Sequence, residues 1–400
     1  MSANVSEGTS IGTMQGRQVA LPDTARELRH SWMAADDEAR RTRGEGMLRL
    51  REVNLVVYAA DEGDAEPARA TAARFMREHP GRVVVLSPLA ARDDRMRSEG
   101  LSAAISTGCF LDRSSGHQVC SEEVVIAVGA HEERAAQAAV YGLLVPDLPV
   151  LGWWAGAPAP LDPNLQWLAG VSDQLVVDST LADVLVQRTG SGGGMQALAD
   201  LLDNTPNVSV SDLTWMRIAP WRVLTAELFD APARRLLIPR INRLSVECRG
   251  APAPALLYAA WFASRLGMSA EGSGWRLEGA GHRVALNRDS TLRGEPVPLP
   301  LEMELRQMEP REGALPGLAE MRVFAGPSGR PPAISIQRLT GYQDCSGCVA
   351  GRADEVLVKT VEVFPDEEWQ LLTRAFETRR SDVVFAETVR LAATLGDLPT

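Results

Sequence analysis

The sequence predicts an α/β fold: a Rossmann-like layered N-terminal domain followed by a smaller α+β C-terminal domain. Three observations carry this reading. In the first half, short β-branched runs alternate with helical stretches, as in residues 54–59, 65–78 and 82–87. Such alternation predicts parallel strands joined by right-handed crossovers. After Asp230-Ala231-Pro232 the pattern changes to a series of strands closed by a helical region. The length of 400 residues also exceeds one ordinary core, at roughly 100–200 residues per domain. The expected division is a disordered tail over 1–22, a Rossmann-like domain over 23–230 and an α+β domain over 231–400.

Each element has a local reason. Residues 1–22 are polar and rich in Gly, Ser and Thr, so they read as a disordered tail. Thr24-Ala25-Arg26-Glu27 follows Pro22 with capping-box spacing, which starts a helix running to about Arg43. Residues 54–59 form a buried strand, and His79-Pro80-Gly81 stops the helix that follows it. Further strands are predicted near 101–107, 119–128, 150–154 and 174–178. Helices fit 132–144, 181–188, 195–204 and a long segment ending near Phe229. Beyond the boundary, strands fit 243–248, 274–278, 283–287, 301–307, 320–325, 333–339 and 356–363. Helices fit 253–266 and a region from Asp366 to Leu395.

Composition narrows the function. The chain is 45% hydrophobic and 23% charged, the balance of a globular protein. Its net charge of −11 disfavours nucleic acid and anionic lipid as partners. The densest basic run, Arg40-Arg41-Thr42-Arg43, is too short to override that. Five cysteines, an odd and sparse set, fit a reducing compartment better than a disulfide framework. No charged start precedes an apolar run at the N-terminus, and no apolar run approaches the ~20 residues of a membrane span. The expectation is a cytoplasmic protein with no membrane or nucleic-acid partner.

Catalytic signatures are not legible. The turn after the first strand of the alternating region is Ala60-Asp61-Glu62-Gly63-Asp64, with three acids where a dinucleotide would require bare N–H groups. Gly190-Ser191-Gly192-Gly193-Gly194 follows a predicted helix and leads to no Lys-Ser/Thr, so it reads as a linker. The histidines lack a second ligand at metal spacing. Glu122 and Glu123 adjoin in a strand and point to opposite faces, which suits a solvated edge better than paired acid–base work. No catalytic residue, metal or cofactor is expected. Cys345-Ser346-Gly347-Cys348 is the one CxxC; a possible redox pair of Cys345 and Cys348, half a zinc site, and no special role all remain open.

Tryptophan is more informative. Trp153-Trp154 adjoin in a strand, so their rings face opposite sides, and Trp215 and Trp221 form a second cluster. Trp and Arg are enriched at binding hot spots, yet such blocks also serve as packing signatures. Three segments resemble the OpcA family of glucose-6-phosphate dehydrogenase assembly proteins. They are Val145-Pro146-Asp147-Leu148-Pro149-Val150-Leu151-Gly152-Trp153-Trp154, closed by Val176-Val177-Asp178-Ser179; Asp212-Leu213-Thr214-Trp215-Met216-Arg217-Ile218-Ala219-Pro220-Trp221-Arg222; and Gln118-Val119-Cys120-Ser121-Glu122-Glu123-Val124. The likeness spans roughly residues 48–230, and the C-terminal half follows in outline.

The resemblance implies a non-catalytic partner of glucose-6-phosphate dehydrogenase that favours its active oligomer and so supports the oxidative pentose phosphate pathway and NADPH supply. The partner-binding candidates are Trp153, Trp154, Asp212, Trp215, Arg217, Trp221 and Arg222. The competing reading is an α/β enzyme or sensor that binds a sugar phosphate or nucleotide at a site not legible from motifs.

Overall fold

The computed structural model describes residues 10–13, 17–43, 50–88, 102–111, 118–129, 131–159, 161–181, 194–278, 281–288, 301–309, 316–326, 332–339, 346–352, 355–363, 367–378 and 382–396. The first sheet comprises β1 (Ser10–Thr13), β2 (Arg17–Ala20), β3 (Val53–Ala59), β4 (Gly81–Pro88), β5 (Ser102–Leu111), β6 (Gln118–Val128), β7 (Val150–Ala155), β8 (Gln174–Val177) and β9 (Ser209–Asp212). A parallel run in the order β6-β4-β3-β7-β8-β9 forms its centre. Numbered along the chain from β3, this is the third, second, first, fourth, fifth and sixth parallel strand, the Rossmann order. β5 adds antiparallel to β6, and β1 and β2 pair antiparallel with β5. The α/β class and Rossmann-like order agree with the sequence reading. Parts of the segment expected to be an irregular tail instead form β1 and β2, because the edge of β5 offers free backbone groups for them to pair with.

The helices are α1 (Thr24–Arg43), α2 (Glu62–Glu78), α3 (Glu133–Leu143), α4 (Pro163–Val171), α5 (Gly194–Asn204), α6 (Leu213–Arg217), α7 (Ala219–Asp230), α8 (Pro232–Arg235), α9 (Ala253–Arg265), α10 (Glu368–Thr378) and α11 (Val383–Gly396). The long helix expected to end near Phe229 is broken at Ile218, ahead of Pro220. The helix expected over 181–188 and the glycine linker expected over 190–194 lie outside the described residues except for Leu181 and Gly194, and Gly194 opens α5 instead of ending a linker.

A parallel sheet buries both faces, and β3 shows it: all seven of its residues are buried. On one face Val56, Tyr58, Val84, Leu86, Val124 and Ile126 pack with α3, α4 and α5. On the other, Leu55, Val57, Val83 and Val85 pack with α2 and with Leu371, Leu372, Ala375 and Phe376 of α10. Thus a helix from the far end of the chain completes the first sheet. Phe376 packs edge-on to Phe75 at 5.8 Å and to His79 at 4.8 Å. Buried Gln174 of β8 donates to Ser211 Oγ at 2.8 Å and to the Ala375 carbonyl at 2.7 Å.

The second sheet comprises β10 (Ile241–Arg249), β11 (Met268–Glu278), β12 (Gly281–Arg288), β13 (Leu301–Met308), β14 (Gly317–Ala325), β15 (Ile334–Leu339), β16 (Ser346–Arg352) and β17 (Glu355–Val363), in the order β11-β12-β13-β10-β14-β15-β16-β17. Neighbours are antiparallel except β10 and β13. Leu244, Val246, Met303, Leu305, Met321 and Val323 pack with α9, and their core is continuous with the first sheet's α3–α5 face through α7 and α11. β16 was not read from the sequence: Ser346-Gly347-Cys348-Val349-Ala350-Gly351-Arg352 has too many small residues to signal a strand.

Two side-chain readings need correction. Glu122 is not on a solvated edge. It is buried in β6, flanked by β4 and β5, and accepts from Arg51 Nη2 at 2.8 Å and from Arg82 Nε and Nη2 at 2.8 and 2.6 Å. Cys109 and Cys120 fall directly opposite each other on β5 and β6, with Cα atoms 4.1 Å apart, and form a disulfide. The register of the hairpin, not the cysteine count, brings them together. If α10 completes the first core, Phe376→Ala lowers unfolding free energy by about 3–5 kcal/mol, measured by denaturant titration. A loss near zero would mean that α10 is a dispensable appendage.

Candidate functional site

In open α/β sheets the ligand crevice lies beyond the C-terminal strand ends, where the strand order reverses. Here that point is between β3 and β7. α2 starts directly after β3, and its first turn is closed by its own acids: the Asp61 N–H donates to Asp64 Oδ2 at 3.2 Å, and the Asp64 N–H to the Asp61 carbonyl at 3.1 Å. Across the crevice Gly156, at φ +147°, lies so close that a Cβ there would come within 2.3 Å of Ala60 Cβ and 3.0 Å of Asp64 Oδ2. Asp61, Glu62 and Asp64 thus place negative charge where a pyrophosphate would need donors.

The ends of β8 and β9 carry a second acidic group. Asp212 caps α6 and is fully buried. It accepts from the Ser179 N–H and Oγ at 2.8 Å each and from the Trp215 N–H at 3.1 Å. Asp178 accepts from Thr180 N–H and Oγ1 at 3.0 and 2.6 Å and from Thr214 Oγ1 at 3.1 Å. Arg217 Nη1 approaches Asp178 Oδ2 at 2.8 Å as an ion pair without an aligned hydrogen bond. From α10, Glu368 accepts from Thr71 Oγ1 at 3.3 Å. Burial, then the Asp178 carboxylate, pushes Asp212 up to about 7, while its Ser179 donors and Arg217 hold it down. Glu368 is also raised, first by burial and then by Asp178.

The tryptophans frame this group. Trp153 packs in the α2–α10 core and Trp154 in the opposite one, its ring stacked on Tyr58 at 5.0 Å and its Nε1 donating to the Ala157 carbonyl at 3.0 Å. Trp215 packs on Phe385 at 5.5 Å and donates from Nε1 to Asp382 Oδ2 at 2.8 Å. The Arg222 guanidinium lies 3.3 Å from the centroid of the Trp215 ring, and Arg222 Nη2 donates to the Trp215 carbonyl at 3.3 Å. Burial lowers Arg222 to about 10 despite the facing Asp382. Trp221 is buried between α7 and its neighbours.

Of the seven candidates, Trp153, Trp154, Asp212, Trp215 and Trp221 are each no more than 2% exposed. Arg217 and Arg222 are half-buried. Asp212, Trp215, Arg217 and Arg222 belong to one network. Trp153 and Trp154 anchor separate cores. Sequence reasoning missed Asp382 and Glu368 as members; Asp382 follows Trp215 by 167 positions, a separation that leaves no local signal. Asp178 and Ser179 were visible as the close of a motif block, without a role. Cys345 lies outside the described residues. Cys348 stands in β16 opposite Arg338 and Val361, with its side chain outside the description. Among the described residues no group of three or more His, Cys, Asp or Glu is placed to hold a metal, and no helix is long and apolar enough to cross a membrane.

Fold and site together define a Rossmann-type α/β protein with acidic side chains at its switch point and a second unit that is an open, largely antiparallel sheet. A family model described as the glucose-6-phosphate dehydrogenase subunit N-terminal domain matches residues 72–189, and one described as the C-terminal domain of the same subunit matches residues 208–389. The chain belongs to this family, the OpcA family. It is 30% identical over 190 residues to a putative OxPP cycle protein OpcA of Nostoc punctiforme, covering 47% of this chain and 38% of that one. It is 32% identical over 192 residues to the Synechocystis protein of the same description, covering 47% and 37%. The matched region is thus well under half the length of these curated relatives. An oxidoreductase domain protein from Kribbella flavida aligns with a TM-score of 0.42 and 9% identity, covering 86% of this chain and 95% of that one.

The raised Asp212 has a pH consequence. An unfolded Asp titrates near 3.9, so the folded state holds this proton more tightly. The stability it contributes is fully present below about 3.9 and is lost as pH rises through about 7. Denaturant unfolding at about pH 5 and about pH 8 should show this fall in the parent protein and a flatter profile in Asp212→Asn. The amide cannot accept all three donors, so the variant also loses about 1–3 kcal/mol. Identical pH slopes in both proteins would exclude Asp212 as the titrating group.

Proposed function

We propose that this chain is a non-catalytic assembly partner of a glucose-6-phosphate dehydrogenase. Binding to the enzyme's active oligomer favours that form and so supports the oxidative pentose phosphate pathway and NADPH supply. The observation that carries the reading is the crevice between β3 and β7, where Asp61, Asp64 and the close approach of Gly156 leave acids in place of a phosphate cradle. The descriptions of the matching family models agree with it. On this reading substrate and NADP are bound by the dehydrogenase. The mechanism is linkage: a protein that binds one oligomeric state better than another shifts the population toward it, by no more than its difference in affinity.

The tryptophan blocks enter this proposal through the two arginines that still reach solvent. Arg217 and Arg222 are presented on the surface by a buried scaffold of Trp215, Asp178 and Asp382. Asp212 and Trp215 hold that scaffold in shape, while Trp153, Trp154 and Trp221 pack in the cores.

The test mixes this chain with the same organism's glucose-6-phosphate dehydrogenase and measures activity and co-elution. A stable complex with raised activity is expected. Neither complex nor activation at micromolar concentration overturns the proposal. Thermal shifts add an independent arm: NADP and glucose 6-phosphate should leave the melting temperature of this chain alone unchanged. A bound ligand at 100 times its Kd would instead stabilise by about 2.7 kcal/mol. Arg222→Ala should weaken the complex about tenfold, in the range of interface arginines. A lowered melting temperature with unchanged partner affinity would confine Arg222 to packing.

A further inference from the structure

A cavity of about 230 Å³ lies between α1 and the edge of the first sheet. β5 contributes Ile105 and Thr107 to its wall, α1 contributes Leu28, Ser31 and Ala34, and β2 contributes Arg17. It sits where the pairing of that edge is interrupted. β1 ends with Thr13 opposite Gly108, and β2 begins with Arg17 opposite Ile105, so Thr107 faces neither strand. One water takes up about 30 Å³ in the liquid, so the space holds several waters or one small organic molecule.

Two hydroxyls in this wall make no hydrogen bond among the described residues. Thr107 is only 3% exposed, yet its Oγ1 has no partner. Buried hydroxyls elsewhere are satisfied: Ser121 donates to the Met76 carbonyl and Ser179 to Asp212. Ser31 is the second. Helical Ser and Thr can donate back to the carbonyl four residues earlier, as Thr205, Thr225, Thr373 and Thr388 do. Ser31 does not. Arg17 adds a charged donor. Its Nη1 meets Glu27 at 3.0 Å, which leaves most of the five N–H donors of a guanidinium available. Glu27 is itself shared with Arg26 at 3.6 Å and His30 at 4.0 Å, and it is not part of the cavity wall. The chain has 52 acidic residues, but none is among the described residues that line this cavity. Donors without a carboxylate beside them call for an anionic acceptor. The remaining wall, Leu28, Ala34 and Ile105, is apolar and suits an alkyl chain better than a hydrated inorganic ion.

We propose that the cavity between α1 and β5 is a binding site for a small organic carboxylate. The carboxylate oxygens accept from Arg17, Ser31 and Thr107, and the alkyl chain packs on Leu28, Ala34 and Ile105. This stands independently of the dehydrogenase proposal.

The test is saturation-transfer NMR of the full chain titrated with butyrate, with inorganic phosphate as a second arm. The parent is compared with Arg17→Gln and Thr107→Val. Saturable butyrate binding at millimolar concentration is expected in the parent. Thr107→Val keeps the side-chain shape and weakens binding about tenfold, in the range of a lost hydrogen bond to a charged group. Arg17→Gln weakens it at least as much, because it removes the charged donor. With no internal partner to lose, the Thr107→Val protein melts no lower than the parent, so its loss of binding is not a loss of fold. Absence of saturable butyrate binding overturns the proposal, as does binding that survives both substitutions. Phosphate bound as tightly as butyrate also overturns it, by showing that the apolar wall contributes nothing. A lowered melting temperature in Thr107→Val counts against it too, since the hydroxyl would then be engaged within the chain.

Discussion

A parallel sheet cannot leave a face to water, because its strands are apolar on both sides and its crossovers must pass over them. The first sheet meets this demand unevenly. Its local crossovers place α3, α4 and α5 on one face, while α2 is the described crossover helix on the other. The uncovered half of that face is closed by α10, from the far end of the chain. α11 follows α10 and packs on both α5 and α9. One covering requirement therefore ties the two units into a single body.

The same closure shapes the acidic group beside the crevice. α10 brings Glu368 to Thr71, beside Asp178 and Arg217, at the C-terminal ends of β8 and β9, to one side of the crevice. Buried carboxylates persist when donors satisfy them, and both here have them: Ser179 and Trp215 for Asp212, Thr180, Thr214 and Arg217 for Asp178. A region so occupied by hydrogen-bonded internal acids is suited to holding shape.

The tryptophans show how far composition can mislead about location. Trp and Arg mark binding hot spots, but they also fill cores, and here the packing role accounts for every ring in the two blocks. Arg222 lies on Trp215 and Trp215 reaches Asp382, so residues that read as a linear motif are one corner of a network that includes the C-terminal helices. The part of the motif with access to water is limited to its two arginines.

Local chain signals suffice for the α/β class, the alternation that yields the parallel strands, the acidic turn after β3 and the family likeness. These depend on neighbours a few residues apart, where periodicity and turn chemistry act. The remaining features follow from how the elements pack. Cys109 and Cys120 meet through hairpin register, Glu122 is buried because β5 covers its strand, β1 and β2 form because an edge is available, and α10 closes a sheet laid down far earlier in the chain. Each of these depends on which elements the fold pairs, the two cysteines included although only 11 positions separate them. The energy comes from packing and pairing partners that periodicity and turn chemistry do not name.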